Sequence, residues 1–120
     1  MTIHVFEYSV VPKLLSVFMT IEAITFGPLI FCRAEASDRL LRHETVHVHQ
    51  YRELYYVGFL LLYAFYWVKG LVKYQELRLA YLAIPFELEA RHGELDPDYL
   101  SKRKPHAWTA WRGSNRPDQW

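Results

Sequence analysis

The sequence predicts a single, mostly α-helical domain of the α+β class, with a small antiparallel β element near its start. The chain has 120 residues, which is the usual length of one domain. Hydrophobic residues make up 52% of it and aromatic residues 17%, so there is ample material for a core. From residue 37 onwards apolar side chains recur at helical spacing, whereas residues 21–33 are rich in β-branched and aromatic side chains.

The first third of the chain predicts a short helix followed by a β hairpin. Pro12 suits the first turn of a helix, which predicts a helix over residues 12–20. Residues 21–33 contain the turn-forming run Phe26-Gly27-Pro28. This punctuation predicts two short strands on either side of a turn.

The remainder predicts a long helix, a helical hairpin and a last short helix. Ser37 is a favourable N-cap residue, and Asp38 places a negative charge in the first helical turn. Glycine and proline then divide the apolar pattern into segments. The predicted helices run from Ser37 to about Val57 with an end or bend at Gly58, then to Gly70, then over residues 71–83, and finally over residues 86–92 between Pro85 and Gly93.

The composition changes after residue 95. We therefore predict a domain over residues 1–95 and an irregular, basic and aromatic tail over residues 96–120, which tryptophan side chains attach to the domain or to a protein partner. The run Lys102-Arg103-Lys104 is short, and the net charge is only +1, from 14 basic and 13 acidic side chains. A nucleic-acid-binding module would carry a clearer basic excess, so we expect a solvated tail and no nucleic-acid partner. The tryptophans concerned are Trp108, Trp111 and Trp120.

Cysteine content and the N-terminal sequence bear on the compartment. Cys32 is the one cysteine, which excludes an internal disulfide and a cysteine-rich zinc site. Glu7 and Glu22 interrupt the N-terminal apolar stretch, and no basic segment precedes it, so it does not resemble a secretory signal. We expect a cytoplasmic protein, or a virion-associated one if a phage encodes it.

The longest uncharged run, residues 54–68, raises the question of membrane contact. As a helix its 15 residues would span ~22 Å, against a hydrocarbon core of ~30 Å. We therefore expect a buried core helix rather than a membrane span. The alternative is a helix that touches a membrane surface through its aromatic residues, Tyr55, Tyr56, Tyr63, Tyr66 and Trp67.

The motif that carries chemistry is His43-Glu44-Thr45-Val46-His47. Residues four apart lie on one face of a helix, so both imidazoles can reach a single zinc ion. Glu44 projects near the metal without needing to bind it. There it can take a proton from a metal-activated water and hand it to the leaving amine.

A catalytic zinc site needs a third protein ligand. Glu53 lies ten residues after His43, which is the spacing of the third ligand in metzincin-type sites. Those sites need a glycine that turns the chain after the helix. Gln50 occupies that position here, so the helix should continue and carry Glu53 away from the metal. Glu87 and Glu89 are better candidates, at the start of the last predicted helix. They are two residues apart, about 200° around a helix, so only one of them can face the metal.

These residues resemble the gluzincin class of zinc metallopeptidases. The similarity rests on His43-Glu44-Thr45-Val46-His47-Val48-His49-Gln50 and on Phe86-Glu87-Leu88-Glu89-Ala90, and covers about residues 21–91. It is greatest with small uncharacterised bacterial and phage-encoded proteins of metallopeptidase type that carry a His-Glu-x-x-His-x-x-Gln core. The resemblance implies a minimal zincin-like domain with a peptide or protein substrate.

The resemblance also implies residue roles. The Glu-x-x-x-Asp helix of gluzincins aligns Glu87 with the third ligand, with Glu89 as the alternative. It aligns Arg91 with the Asp that supports a ligand histidine. It further implies that an edge strand within residues 24–33 pairs with the extended substrate.

Gln50 and several tyrosine and histidine residues are candidates for supporting roles. Gln50 shares a helix face with His43 and His47, so it can hydrogen-bond a ligand or brace the Glu-bearing helix. An oxyanion donor is not singled out by the pattern. The candidates are Tyr74, Tyr81, His92 and His106.

The predicted function is hydrolysis of a peptide bond by zinc-activated water. His43, His47 and Glu87 would bind Zn²⁺, and Glu44 would act as base and acid. The alternative is a non-catalytic structural or assembly protein of the same fold, such as a phage virion component, with a structural or relict metal site. The substitution of Arg91 for the expected Asp favours that alternative.

Overall fold

A computed structural model describes residues 3–15 and 23–112 of the protein. These residues are mostly helical and carry a small three-stranded mixed sheet, which confirms the α+β class. The elements in chain order are β1 (His4–Phe6), α1 (Val11–Leu15), β2 (Ala23–Phe26), β3 (Leu29–Cys32), α2 (Asp38–Glu53), α3 (Val57–Tyr74), α4 (Leu77–Leu82), α5 (Pro85–Gly93), α6 (Tyr99–Lys102) and a 3₁₀ helix (Ala107–Trp111).

The predicted hairpin is present, but the sheet is mixed rather than antiparallel. β2 pairs antiparallel with β3 across the turn at Gly27, where φ is +57°. β1 then pairs parallel with the other side of β3. This strand was not predicted, because it is only three residues long and its side chains are all exposed, so it has no alternating pattern. The predicted helix at residues 12–20 corresponds to α1, and its part after Leu15 lies outside the described residues.

The motif helix α2 begins as predicted and ends earlier. The Ser37 side chain accepts a hydrogen bond from the backbone N–H of Leu40 at 3.1 Å, as an N-cap should. The helix ends at Glu53 rather than at Val57, because Tyr55 and Tyr56 have φ values of +55° and +65°. Gly58 therefore neither ends nor bends α2.

The predicted boundary at Gly70 is wrong, because α3 continues through it to Tyr74. Gly70 serves close packing instead: a Cβ there would lie 2.9 Å from Cα of Ala80 on α4. The chain leaves the helix at Gln75, which has the left-handed φ of +55°. α3 and α4 thus form the helical hairpin, and the boundary between them lies at residues 75–76 rather than at Gly70.

Helix α3 is not the buried core helix that its apolar sequence predicted. Phe59 and Gly70 are its buried residues, whereas Leu61 is 68% exposed and Val72 is 75% exposed. It is 18 residues long, longer than the uncharged run suggested, and by length and composition it could cross a membrane.

The main core lies where α2, α3 and α5 meet the 3₁₀ helix. Phe86 is fully buried and packs on Phe59 and Trp108, with ring centroids 4.7 and 4.6 Å away. Residues 96–112 are consequently not an irregular tail: α6 and the 3₁₀ helix fold onto the domain, with Trp108 in its core. Trp120 lies outside the described residues. A smaller cluster of Ile30, Cys32 and Val48 joins the sheet to α2.

Candidate metal centre

Helices α2 and α5 bring two histidines and a carboxylate together. His43 and His47, one turn apart on α2, each place Nε2 3.1 Å from Oε1 of Glu87. One ligand atom from each residue can be chosen so that all three lie within 4.8 Å of one another. His47 and Glu87 are buried, and His43 is largely so. The described residues therefore contain a three-residue group with the chemistry of a metal site.

Gln50 connects the two helices that form this group. Its amide nitrogen donates to the backbone carbonyl of Phe86 at 3.1 Å and to Oε1 of Glu89 at 2.9 Å. Pro85 is the first residue of α5, next to Phe86, and Ile84 before it has an extended backbone. The first turn of α5 is thus held against α2, which sets the position of Glu87.

Each histidine has a hydrogen-bond acceptor at its second ring nitrogen. Nδ1 of His43 lies 3.0 Å from Oε1 of Glu94, and Nδ1 of His47 lies 2.7 Å from Oε1 of Gln50. The Gln50 amide is fixed in this orientation, because both groups facing its nitrogen are acceptors. Nδ1 must therefore carry the proton in both rings, so the lone pair of each neutral imidazole is at Nε2.

This tautomer creates a conflict that a cation resolves. Two Nε2 lone pairs and a carboxylate oxygen, all acceptors, converge at 3.1 Å. They can coexist only if protons or a metal ion lie between them. Ligand atoms bound to one tetrahedral zinc ion would be roughly 3.3 Å apart, which is close to the two nitrogen–oxygen distances of 3.1 Å. The donor set thus fits zinc.

Without a metal, the charges favour protonated histidines. Burial alone would lower the pKa of His43, but the Glu87 and Glu94 carboxylates raise it to about 10. The pKa of His47 is raised as well, since the attraction of Glu87 outweighs burial. Burial would raise the pKa of Glu87, yet the two histidines hold it well below its ordinary value. A metal ion would replace these protons.

Two tyrosines hold the Glu87 carboxylate in place. Tyr63 of α3 donates to Oε2 at 2.7 Å, and Tyr81 of α4 donates to Oε1 at 3.1 Å. Burial, followed by the negative charge of Glu87, raises the pKa of the Tyr81 hydroxyl well above its ordinary value. Burial and then the charge of Glu87 raise the pKa of the Tyr63 hydroxyl in the same way, so both hydroxyls stay protonated at neutral pH. All four helices from α2 to α5 contribute to the position of this one side chain.

Glu44 lies beside the group and is held by the sheet. The hydroxyl of Thr25 on β2 donates to Oε2 of Glu44 at 2.6 Å. The backbone carbonyl of the same threonine accepts from the Tyr51 hydroxyl at 2.9 Å. Glu44 is only 5% exposed. A buried carboxylate fixed in this way is oriented for proton transfer.

A cavity of about 510 Å³ contains His43, Glu44, His47 and Glu87 in its wall. Its lining is otherwise largely apolar, and β2 forms one side of it. An edge strand within residues 24–33 was predicted to pair with the substrate. β3 is the central strand of the sheet, so β2, which is an edge strand and lines the cavity, is the candidate for that role. Such a concave apolar site with a few convergent polar groups is typical of a binding site.

Other predicted residues are placed differently. Glu89, the alternative ligand, faces away from the histidines and accepts from Arg103, Tyr99 and Gln50. Glu53 also pairs with Arg103, as expected of a residue carried away from the metal. Arg91 lines the cavity and donates to the Leu82 carbonyl, with no hydrogen bond to a ligand histidine among the described residues.

Of the four candidate oxyanion donors, one lines the cavity and three do not. Tyr81 lines the cavity beside Glu87. His92 instead packs against Trp111, with ring centroids 5.1 Å apart, and His106 is an exposed residue before the 3₁₀ helix. Tyr74 is at the end of α3 and is not among the residues that line the cavity.

Sequence reasoning did not identify Glu94, Tyr63 or Thr25. Glu94 supports His43, the role that the gluzincin alignment assigned to residue 91. It lies seven residues after Glu87, about two helical turns, so helical spacing from the ligand would have been the signal. The positions of Tyr63 and Thr25 depend on packing between elements.

Comparison with protein-family models, with curated proteins and with solved structures finds no match to this chain.

Proposed function

We propose that this protein is a zinc-dependent peptidase that hydrolyses a peptide bond. One observation carries the proposal: two histidines with their Nδ1 atoms already occupied direct Nε2 onto one carboxylate oxygen, at 3.1 Å each. This arrangement of acceptors has its natural partner in a divalent cation. His43, His47 and Glu87 would hold it. Zinc, when bound, supplies a Lewis acid that lowers the pKa of water to ~7 and polarises a carbonyl group.

Glu44 is the residue that moves protons. It removes a proton from the attacking water and later delivers it to the amine nitrogen that leaves. The Thr25 hydroxyl at 2.6 Å holds one carboxylate oxygen, which leaves the other for the water. Its burial in a largely apolar cavity limits competition from solvent.

Two further groups act on the substrate. β2 lies along the cavity and offers backbone groups to an extended peptide. Tyr81 turns its protonated hydroxyl from Oε1 of Glu87, 3.1 Å away, to the carbonyl oxygen as negative charge develops there. The largely apolar cavity walls limit the access of bulk water to the reacting groups, apart from the attacking water.

A non-catalytic metal-binding protein of the same fold is the second proposal. The observation that favours it is Arg91, a cation that lines the cavity where gluzincins have an acid. Structural zinc sites are closed by four protein ligands, whereas catalytic sites keep one position open. The described residues offer three ligands beside a cavity, which favours the peptidase.

Metal content tests the site. Wild-type protein is expected to bind about one zinc per chain, measured by elemental analysis after dialysis. His43→Ala and Glu87→Ala should lose it, whereas His106→Ala, an exposed histidine outside the group, should keep it. Folded wild-type protein that takes up no zinc would refute the metal centre.

Turnover tests the chemistry. Glu44→Gln should keep zinc and lose cleavage of a mixture of quenched fluorescent peptides, since the side chain retains its size but cannot accept a proton. Cleavage at the wild-type rate by this variant would refute the mechanism. A wild type that binds zinc and cleaves no peptide would support the non-catalytic proposal.

A further inference from the structure

Helix α3 carries a continuous apolar face on the outside of the domain. The face consists of residues that recur every three or four positions, and its large side chains are 57–75% exposed. On the opposite side, Phe59 and Gly70 are buried against the core. We call this the outer face of α3; its residues are Val57, Leu61, Ala64, Phe65, Val68 and Val72.

We propose that the outer face of α3 binds the surface of an anionic lipid membrane, with the helix lying in the plane of the interface. A helix with one apolar face towards lipid and basic residues beside it is typical of proteins that bind in this way. The proposal is independent of the metal centre.

The charges beside the face distinguish lipid from a second copy of the chain. Lys69 and Lys73 are exposed next to the outer face, and α3 contains no acidic residue. Two copies packed through this helix would offer the lysines no carboxylate from the opposing α3. Anionic lipid headgroups offer each of them a negative charge.

Aromatic residues extend the surface at the start of the helix. Tyr55 is 87% exposed and Tyr56 is 43% exposed, where tyrosines of a membrane-interface belt would be expected. Gly27 of the β hairpin lies against the Tyr56 ring, and the neighbouring Phe26 is 44% exposed. The apolar surface therefore continues from α3 to the hairpin.

The inner side of α3 excludes a membrane-spanning arrangement. Tyr63 donates to Glu87 at 2.7 Å and Phe59 packs on Phe86, so the first half of α3 is attached to α5 by a polar and an apolar contact. A spanning α3 would carry the ionised groups Glu87, Glu89 and Arg103 into hydrocarbon, which is costly. Lying in the interface leaves those groups inside the protein.

This orientation places the cavity at the membrane surface. Leu60 and Trp67, on the side of α3 next to the outer face, and Phe26 of the hairpin all line the cavity. If the proposed peptidase function holds, the substrate is a peptide segment presented at the membrane. Binding to lipid vesicles does not require peptidase activity.

Flotation with lipid vesicles tests the proposal. Wild-type protein should float with vesicles of phosphatidylcholine and phosphatidylglycerol, and more weakly with phosphatidylcholine alone. Leu61→Glu, at a residue 68% exposed on the outer face, should weaken binding by at least about tenfold. Lys69→Gln with Lys73→Gln should weaken it roughly 10- to 30-fold, on anionic vesicles only.

Leu95→Glu is the matched control, because Leu95 is 61% exposed and lies outside α3, after the end of α5. It should float like wild type, and each variant should keep the circular dichroism spectrum of the wild type. The proposal is overturned if wild type floats with neither vesicle, or if Leu95→Glu loses as much binding as Leu61→Glu. It is equally overturned if wild type is a dimer that Leu61→Glu dissociates, without vesicle binding.

Discussion

Oε1 of Gln50 lies 2.7 Å from Nδ1 of His47, one helical turn away on α2. The same amide donates to α5 through Phe86 and Glu89, so its orientation cannot reverse. One side chain therefore sets the tautomer of a proposed ligand and the position of the helix that carries another. Removing it should disturb the metal centre even though it binds no metal itself.

Gln50→Met, which keeps the size of the side chain but removes its hydrogen bonds, should lower zinc affinity about 10- to 100-fold. His47 would lose the acceptor at Nδ1, and Glu87 would lose the fixed position of its helix. Affinity is measured by competition with a chromophoric chelator. Unchanged affinity would show that His47 needs no partner at Nδ1.

Glu94→Gln should weaken zinc binding by about tenfold or more. Its carboxylate lies 3.0 Å from Nδ1 of His43, and the neutral amide accepts a weaker hydrogen bond. Glu35→Gln is the matched control, because Glu35 is exposed and outside the group. Equal zinc affinity for both variants, in the same chelator competition, would contradict the role given to Glu94.

Thr25→Val should reduce kcat roughly tenfold or more while zinc content stays the same. The variant keeps the shape of a β-branched strand residue but removes the hydroxyl that lies 2.6 Å from Glu44. Peptide cleavage and elemental analysis are measured on the same preparation. Thr45→Val on α2 is the control and should leave kcat near that of wild type; a similar fall in both would remove the argument for Thr25.

Glu53 should make stability depend on acid pH. Burial would raise its pKa, but hydrogen bonds from Arg103 and from the His106 backbone lower it below its ordinary value of 4.5. A lowered folded-state pKa gives stability that is present above 4.5 and is lost as the pH falls through the folded value.

Glu53→Gln should therefore be less stable than wild type by roughly 1–2 kcal/mol at neutral pH. The difference should shrink as the pH falls below about 4. Urea unfolding at a series of pH values measures it, with Glu35→Gln, at an exposed residue, as the control. A difference that stays constant down to about pH 3 would contradict the assignment.

Local geometry explains the parts of the centre that were predictable. His43 and His47 share a face of α2 because residues four apart always do so on a helix, and the Ser37 cap marks where that helix begins. Pro85 marks the start of α5 in the same way. Given the helix, only one of Glu87 and Glu89 could face the histidines, although periodicity did not say which.

Contacts between distant segments decided the rest. Glu87 faces the histidines because two contacts of Glu89, with Gln50 and with Arg103, fix the rotation of α5. The buried ion pair of Glu89 with Arg103 joins residues 14 apart in the sequence. The support of His43 by Glu94 and of Glu44 by Thr25 depends on which elements pack together.

The exposure of α3 is the clearest case. The apolar composition of a helix determines how much free energy its burial would release. Which face of the helix is covered depends on the number and size of the elements that can pack against it. Here α4 and α2 cover one side of α3, and the outer face is left open. Helical periodicity, caps and motif spacing follow from the order of the residues. The tautomers, the orientation of the carboxylates and the open apolar face arise only when the chain is packed.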